Sequence, residues 1–407
     1  MGLRSKVLSR KRRPKARLLS HPDKKILIDC GVDPASIPIL MSKMGHRILL
    51  LRDIKLYAAN ILKQEMLSIG GDVAVNRGVI SGEATLSDCV VMGDLRHFRR
   101  LIDKLKLQPG LSTIASMIED QVFFKRDGLI LDVCGRHYRW DELPVVMGVL
   151  NVSDDSFSDG GLWMDPDKAY KHAMDLITDG AQIIDIGAES TRPGSIPIDK
   201  DKEISRVVPV IERIVSSVEV PISIDTQKSE VAKVALDAGA CIVNDISGLR
   251  HDPDMVGVVK DRGAGVVLMH MRGTPQTMQQ DTSYNDIITE IVDFLDERIH
   301  ACIDAGIDKS RIIVDPGIGF GKDLKGNLTI IRHISEFKSL GVPVLLGHSR
   351  KAFIGNILGT PVNDREEGTD AVTAWAALQG VNIIRVHDVR HAMRIRSVIR
   401  SIVDERL

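Results

Sequence analysis

Asp185, Asp225, Asn244 and Asp315 each lie at or near the end of a short apolar run, and a set of cations, Lys322, Arg350, Lys351 and Arg385, stands in later loops beside His387. A carboxylate emerging from an apolar run is partly desolvated and needs a cationic or amide-like partner, because an unpaired buried charge is costly. Arginine presents a planar fork to phosphate oxygens, and lysine a point charge. Together the two sets call for a ligand with a guanidine-like edge and a phosphate-type tail. The run from Asp315 to Gly321, with Gly317, Gly319 and Gly321, has the wrong spacing for a dinucleotide loop. Its glycines instead let backbone approach a flat ligand, with Phe320 as an apolar wall. The acidic, serine-rich segment Ser153–Gly161 lacks a complete calcium-loop pattern. It reads as a mobile lid.

These side chains require a scaffold that converges them. From Val145 onward, β-branched or leucine-rich runs alternate with helical patterns such as Tyr170, Ala173, Met174 and Ile177. The predicted strands are Val145–Asn151, Gln182–Ala188, Pro221–Thr226, Cys241–Ile246, Gly265–Met271, Arg311–Gly317, Pro343–Ser349 and Asn382–Asp388. Their continuous apolar character suits strands buried on both faces. Eight such units predict an α/β fold, a (β/α)8 TIM barrel, with a smaller α/β N-terminal domain. In that architecture the C-terminal strand ends form one mouth. Those ends carry Asn151, Asp185, Asp225, Asn244 with Asp245, His270, Asp315, Ser349 and His387. One polar residue at a strand end is as readily a helix cap as a ligand. A polar residue on every strand is better explained by a polar site. A hairpin, Leu129–Val133 with His137–Trp140, is expected to cap the opposite end of the barrel.

Upstream, residues 25–122 read as a separate small α/β domain. Strands are expected at Arg47–Leu51, Asp72–Val75 and Cys89–Met92, and helices at Ala58–Ile69 and His97–Leu107. No metal, nucleophile or phosphate motif marks this region, and its role is open. Residues 1–24 form a basic tail: Arg4 to Lys25 holds ten Lys/Arg against Asp23 alone. An arm for anionic surfaces and a transit peptide are the sharper readings. Composition favours a solvated, disordered tail. The whole chain is near −1 in net charge, which argues against a nucleic-acid or membrane-surface protein. The five scattered cysteines form no C-x-x-C pair and read as reduced, buried thiols of a cytoplasmic protein.

From about Gly128 to the C-terminus the sequence resembles the dihydropteroate synthase family. Val146–Gly161 (VMGVLNVSDDSFSDGG) is similar to the family's first signature, and Asp185–Ser195 (DIGAESTRPGS) to its second. Ser223–Asp225, Asn244–Asp245, Leu268–Pro275 (LMHMRGTP), Asp315–Lys322 (DPGIGFGK), Ser349–Lys351 (SRK) and Arg385–Asp388 (RVHD) follow in family order. A pterin diphosphate has the guanidine-like edge and anionic tail that the residues call for. The resemblance implies condensation of 6-hydroxymethyl-7,8-dihydropterin diphosphate with p-aminobenzoate, releasing pyrophosphate. It implies that Asn151 ligands a magnesium ion and that Arg385 and His387 bind diphosphate oxygens. It places Asp225, Asn244, Asp315 and Lys351 on the pterin edge, against Met269 and Phe320, with Asp185 also in the substrate site. Thr191, Arg192 and Ser349 fall on the p-aminobenzoate side. Asp225, Asp315, Lys351 and Arg385 carry the catalytic charge roles, and a homodimer formed through barrel helices is implied.

Four residues depart from the family pattern. Ser153 and Asp154 stand for the usual Thr-Pro, Ala188 for a glycine, and Ala352 for a serine. None removes a residue with a charge role. Two rival readings share the barrel. A methyltransferase passing methyl from a reduced folate to a corrinoid protein would need neither the SRK nor the RVHD group. A catalytically silent pterin-binding scaffold is supported only by the altered first loop.

Overall fold

A computed structural model describes residues 24–83, 85–123, 130–133, 135–139, 144–152, 165–191 and 194–404. The chain divides into two compact units, residues 1–125 and 126–407. The basic stretch 1–23, the acidic segment 153–161 with Ser153 and Asp154, and Arg192 lie outside the described residues.

The first unit contains a three-stranded antiparallel sheet, β1 (His46–Lys55), β2 (Asp72–Val75) and β3 (Leu86–Asp94), in the order β1-β3-β2. Helices Leu56–Ser68, Leu95–Lys106 and Ser112–Phe123 contribute to its core. Phe98, Leu101, Ile102 and Leu105 recur at helical spacing and are buried with Leu62, Met66, Val73 and Val91. Asp94 starts its helix by accepting from Arg96 N at 2.9 Å and His97 N at 3.1 Å, while His97 Nδ1 accepts from Asp94 N at 3.0 Å. The sequence reading missed helix Ser112–Phe123, whose buried Ala115 and Ile118 give too few apolar markers to stand out.

The second unit opens with the hairpin β4 (Ile130–Val133) and β5 (Arg136–Arg139). Eight parallel strands follow: β6 (Val145–Asn151), β7 (Ile183–Gly187), β8 (Ile222–Asp225), β9 (Ile242–Asp245), β10 (Gly265–Met269), β11 (Ile312–Asp315), β12 (Leu345–Gly347) and β13 (Ile383–Val386). Each pairs with its neighbour, β13 returns to β6, and β11 meets β12 through one bridge between Val314 and Val344. The sheet is thus a nearly closed barrel with helices between its strands. Leu131 and Val133 of the hairpin pack with Val145, Ile183, Ile242 and Ile383, which begin their strands, so the hairpin plugs the N-terminal end. A second apolar layer joins the strands to the helices, with Ile186, Ile224, Val243, Leu268 and Val314 fully buried.

Most strands are shorter than the apolar runs suggest. Past the last ladder pair, rim side chains hold the loops instead. Asp245, for example, accepts from Ser247 N at 2.7 Å and Leu249 N at 3.1 Å. One expectation about cysteine needs correction. Cys89 and Cys302 are free and buried, but Cys30 is exposed and Cys241 is disulfide-bonded. Nothing in the local sequence of Cys241 signals a pairing, since neither a short Cys spacing nor an extracellular pattern is present. Among the described residues no helix is long and apolar enough to cross a membrane.

Candidate active site

The C-terminal strand ends bring Asp185 (β7), Asp225 (β8), Asn244 (β9), Asp315 (β11) and Arg385 (β13) to one mouth. Arg385 is the link between them. Its Nε donates to Asp185 Oδ2 at 2.5 Å and its Nη2 to Asp225 Oδ2 at 2.8 Å. Asn244 Nδ2 also donates to Asp185 Oδ2, at 3.1 Å. Asp185 is completely buried, and its other oxygen, Oδ1, has no hydrogen-bond partner among the described residues. Buried carboxyl oxygens are rarely left so. The family-type expectation had Arg385 turned toward diphosphate. Here one edge of its guanidinium is committed to carboxylates, and Nη1 has no partner among the described residues.

Burial pushes the Asp225 carboxyl up to about 7, against the pull of Arg385 and with the help of Asp185. Burial likewise raises Asp315, which accepts from Gly317 N at 2.7 Å. Lys351 is brought down to about 8, chiefly by burial, with Asp315 opposing the shift and Arg385 adding to it. Its Nζ lies 4.2 Å from the centre of the Phe320 ring. Phe320 packs with Ile246, Met269, Met271 and Met278 into a buried apolar cluster at the same strand ends. The mouth therefore combines interleaved charges with a flat apolar wall. Of the wall, Met269 and Phe320 were foreseen; Ile246 follows β9, Met271 and Met278 lie in the loop after β10, and none of the three carried a separate signal.

The Asp315 loop is shaped by its glycines. At Gly317, φ is +71° and an added Cβ would lie 2.0 Å from the carbonyl oxygen of His270. Only glycine allows that approach. Lys322 was expected to face a ligand phosphate, but its buried Nζ donates to Phe320 O at 2.8 Å and His270 O at 3.2 Å and lies 2.9 Å from His270 Nδ1. Burial and then Lys322 lower His270 to about 2, so the imidazole is neutral and its Nδ1 accepts. Lys322 thus fastens the loop from within. Arg350, also read as a ligand cation, donates through Nε to Glu366 at 3.0 Å and sits in the left-handed region at φ 56°. Its neighbour Ser349 faces His387: Oγ and Nδ1 are 2.9 Å apart, and Oγ accepts from His387 N at 3.3 Å.

Asn151 ends β6 opposite Gly187 and is partly exposed. Thr191 is partly buried in the loop after β7, and Ala188 is fully buried at the start of that loop. Ala352 begins helix Ala352–Leu358. Sequence reasoning passed over a second charged group. Lys228 Nζ binds Glu189 and, at 2.6 Å, Glu203 Oε2. These residues come from two loops and a helix, with no periodic spacing to mark them. Among the described residues no group of three or more His, Cys, Asp or Glu side chains could hold a metal.

Comparison with known proteins identifies relatives of the barrel unit. The family described as pterin binding enzyme matches residues 147–387. A dihydropteroate synthase of Bacillus subtilis is 45% identical over 266 residues, covering 65% of this chain and 91% of its own. A Xanthomonas albilineans dihydropteroate synthase solved with 4-aminobenzoic acid superposes with a TM-score of 0.63 at 42% identity, covering 68% of this chain and 98% of that one. A probable bifunctional folylpolyglutamate synthase/dihydropteroate synthase of Halobacterium salinarum is 38% identical over 378 residues, 92% of this chain but 45% of that longer protein. That alignment is too long to fit within the barrel unit, so it extends into the first unit. The chain belongs to the pterin-binding enzyme family as a dihydropteroate synthase with an additional N-terminal domain.

Proposed function

We propose that the mouth condenses 6-hydroxymethyl-7,8-dihydropterin diphosphate with p-aminobenzoate through residues that serve both halves of one charge separation. The observation that supports this most is the bridge from Arg385 to Asp185 and Asp225 beside Lys351 and the Phe320 wall. The pterin lies against Phe320 and Met269, with Asp225, Asn244, Asp315 and Lys351 at its hydrogen-bonding edge. The bond between the exocyclic methylene and the diphosphate oxygen breaks, and its electron pair leaves with pyrophosphate. Asp225 and Asp315 face the positive charge that develops on the pterin. A unit pair at ~4 Å is worth about 4 kcal/mol at an effective dielectric near 20. The amine of p-aminobenzoate attacks the methylene, and its surplus proton passes to the departing anion or to water. Arg385 through Nη1, and His387 held by Ser349, stabilise that anion. Thr191 borders the arylamine, which, once seated over the mouth, keeps water from the cation.

Magnesium fits this donor set only as a companion of the diphosphate. It binds through few protein oxygens and keeps waters and phosphate oxygens as its other ligands. The lone amide of Asn151, at a strand end with no acidic cluster near it among the described residues, suits that mode. The ion would add Lewis-acid stabilisation of the leaving group.

The protein further acts as a homodimer. Leu324, Leu328, Ile357, Leu358, Trp375 and Leu378 are exposed apolar side chains on three consecutive barrel helices. Apolar exposure of this kind favours self-association. Pyrophosphate release from the purified chain given both substrates tests the reaction, and sedimentation tests the dimer. Release without the arylamine, or none at all, would refute the assigned reaction.

A further inference from the structure

The loop after β7 carries Thr191 two residues beyond Glu189, and it is tied at both ends. At its far end Gly194 N donates to Pro275 O at 3.3 Å, and Gln276 Nε2 donates to Ser195 O at 3.2 Å. Those contacts join it to the loop after β10. At its near end Glu189 Oε2 accepts from Ile198 N at 3.4 Å and from Lys228 Nζ. Lys228 itself stands three residues after Asp225, in the loop after β8. Its second partner, Glu203, lies in the first turn of helix Lys200–Ser217 with a side chain only 1% exposed. The other Glu203 oxygen, Oε1, has no hydrogen-bond partner among the described residues.

A buried glutamate needs a cation. Lys228 fills that need, and the ammonium so anchored has a hydrogen left for Glu189. The arrangement fixes Lys228 on the barrel wall and hangs the entry of the Thr191 loop from it. The pterin wall of Phe320 and Met269 is built from different strands and does not depend on this clamp.

We propose that Lys228, clamped between Glu203 and Glu189, is a positioning residue that holds the loop after β7 in register for the arylamine. The clamp therefore sets the affinity for p-aminobenzoate and leaves binding of the dihydropterin diphosphate unchanged. This rests on the reaction proposed above, with Thr191 on the arylamine side.

The test is Glu189→Gln in the full-length enzyme. The substitution leaves the Lys228–Glu203 pair in place, so no buried charge is stranded and thermal unfolding should match the wild type. Replacing the carboxylate by a weaker, neutral acceptor for Lys228 predicts a rise of roughly tenfold in the KM for p-aminobenzoate. The KM for dihydropterin diphosphate and its equilibrium binding should stay within about twofold of wild type. An unchanged KM for p-aminobenzoate, or equal rises for both substrates, overturns the inference. The wild type measured alongside separates the two ideas: if it releases no pyrophosphate, the reaction itself is wrong, whereas an active wild type with an indifferent variant refutes the clamp alone.

Discussion

Arg385 Nη2 lies 2.8 Å from Asp225 Oδ2, so the cation expected on the anionic side of the ligand is already paired with the carboxylate expected on the cationic side. Opposite charges in this mouth are interleaved rather than set on facing walls. The arrangement keeps each buried charge compensated before substrate arrives. It also lets one guanidinium tune Asp225 while its Nη1 has no partner among the described residues.

The first consequence is a narrow pH optimum. Asp225, raised to about 7 by burial, carries its negative charge only above that value. Lys351, lowered to about 8 by burial, carries its positive charge only below it. Both charges coexist between the two. The kcat/KM for dihydropterin diphosphate should fall on the acid side as Asp225 takes a proton and on the alkaline side as Lys351 loses one. A flat profile from pH 6 to about 9 would remove both groups from the charge roles assigned to them.

Asp225→Asn should fold normally, since the amide is nearly isosteric and Arg385 keeps Asp185. Turnover should drop by on the order of 10², the scale of one lost preorganised charge. The acid limb of the pH profile should vanish with it. Steady-state pyrophosphate release across pH measures both effects.

Arg385→Met should cost stability as well as activity. It strands Asp185, which is fully buried, beside Asp225 with no guanidinium between them. Removing one partner of a buried ion pair costs roughly 3–5 kcal/mol. Arg385→Lys should recover little, because an ammonium lacks the planar fork that spans two carboxylates. Urea unfolding of the two variants provides the comparison.

Gly317→Ala should distort the Asp315 loop. The added methyl would lie 2.0 Å from His270 O at a φ that disfavours any side chain. A strained backbone position of this kind costs about 1–3 kcal/mol before the clash is counted. The expected readings are lower thermal stability and a higher KM for the pterin substrate. Wild-type values for both would show that the loop is not held as described.

The barrel was legible because its strands are continuous apolar runs and their polar ends coincide with the rim. All eight predicted strands are present, and Val145–Asn151 has the bounds read from sequence. Asp185, Asp225, Asn244, Asp315 and Arg385 meet in one mouth, as strand-end position implied. What pattern could not convey is who pairs with whom. Arg385 reaches across to β7 and β8, residues 200 and 160 positions away. Lys322 and Arg350 looked like ligand cations because spacing says nothing about the carbonyls and carboxylate that claim them. The Glu189–Lys228–Glu203 group escaped for a related reason, since its partners are distant in sequence, whereas helix Ser112–Phe123 escaped because it buries few apolar residues.

The most direct measurement of the central claim is equilibrium binding of dihydropterin diphosphate to the wild type, Asp225→Asn and Lys351→Ala, each paired with its rate of arylamine-dependent pyrophosphate release. One shared cavity predicts tight binding and release by the wild type, weakened binding in Lys351→Ala, and lost turnover in Asp225→Asn with its fold intact. Wild-type binding and wild-type turnover in both variants would contradict it.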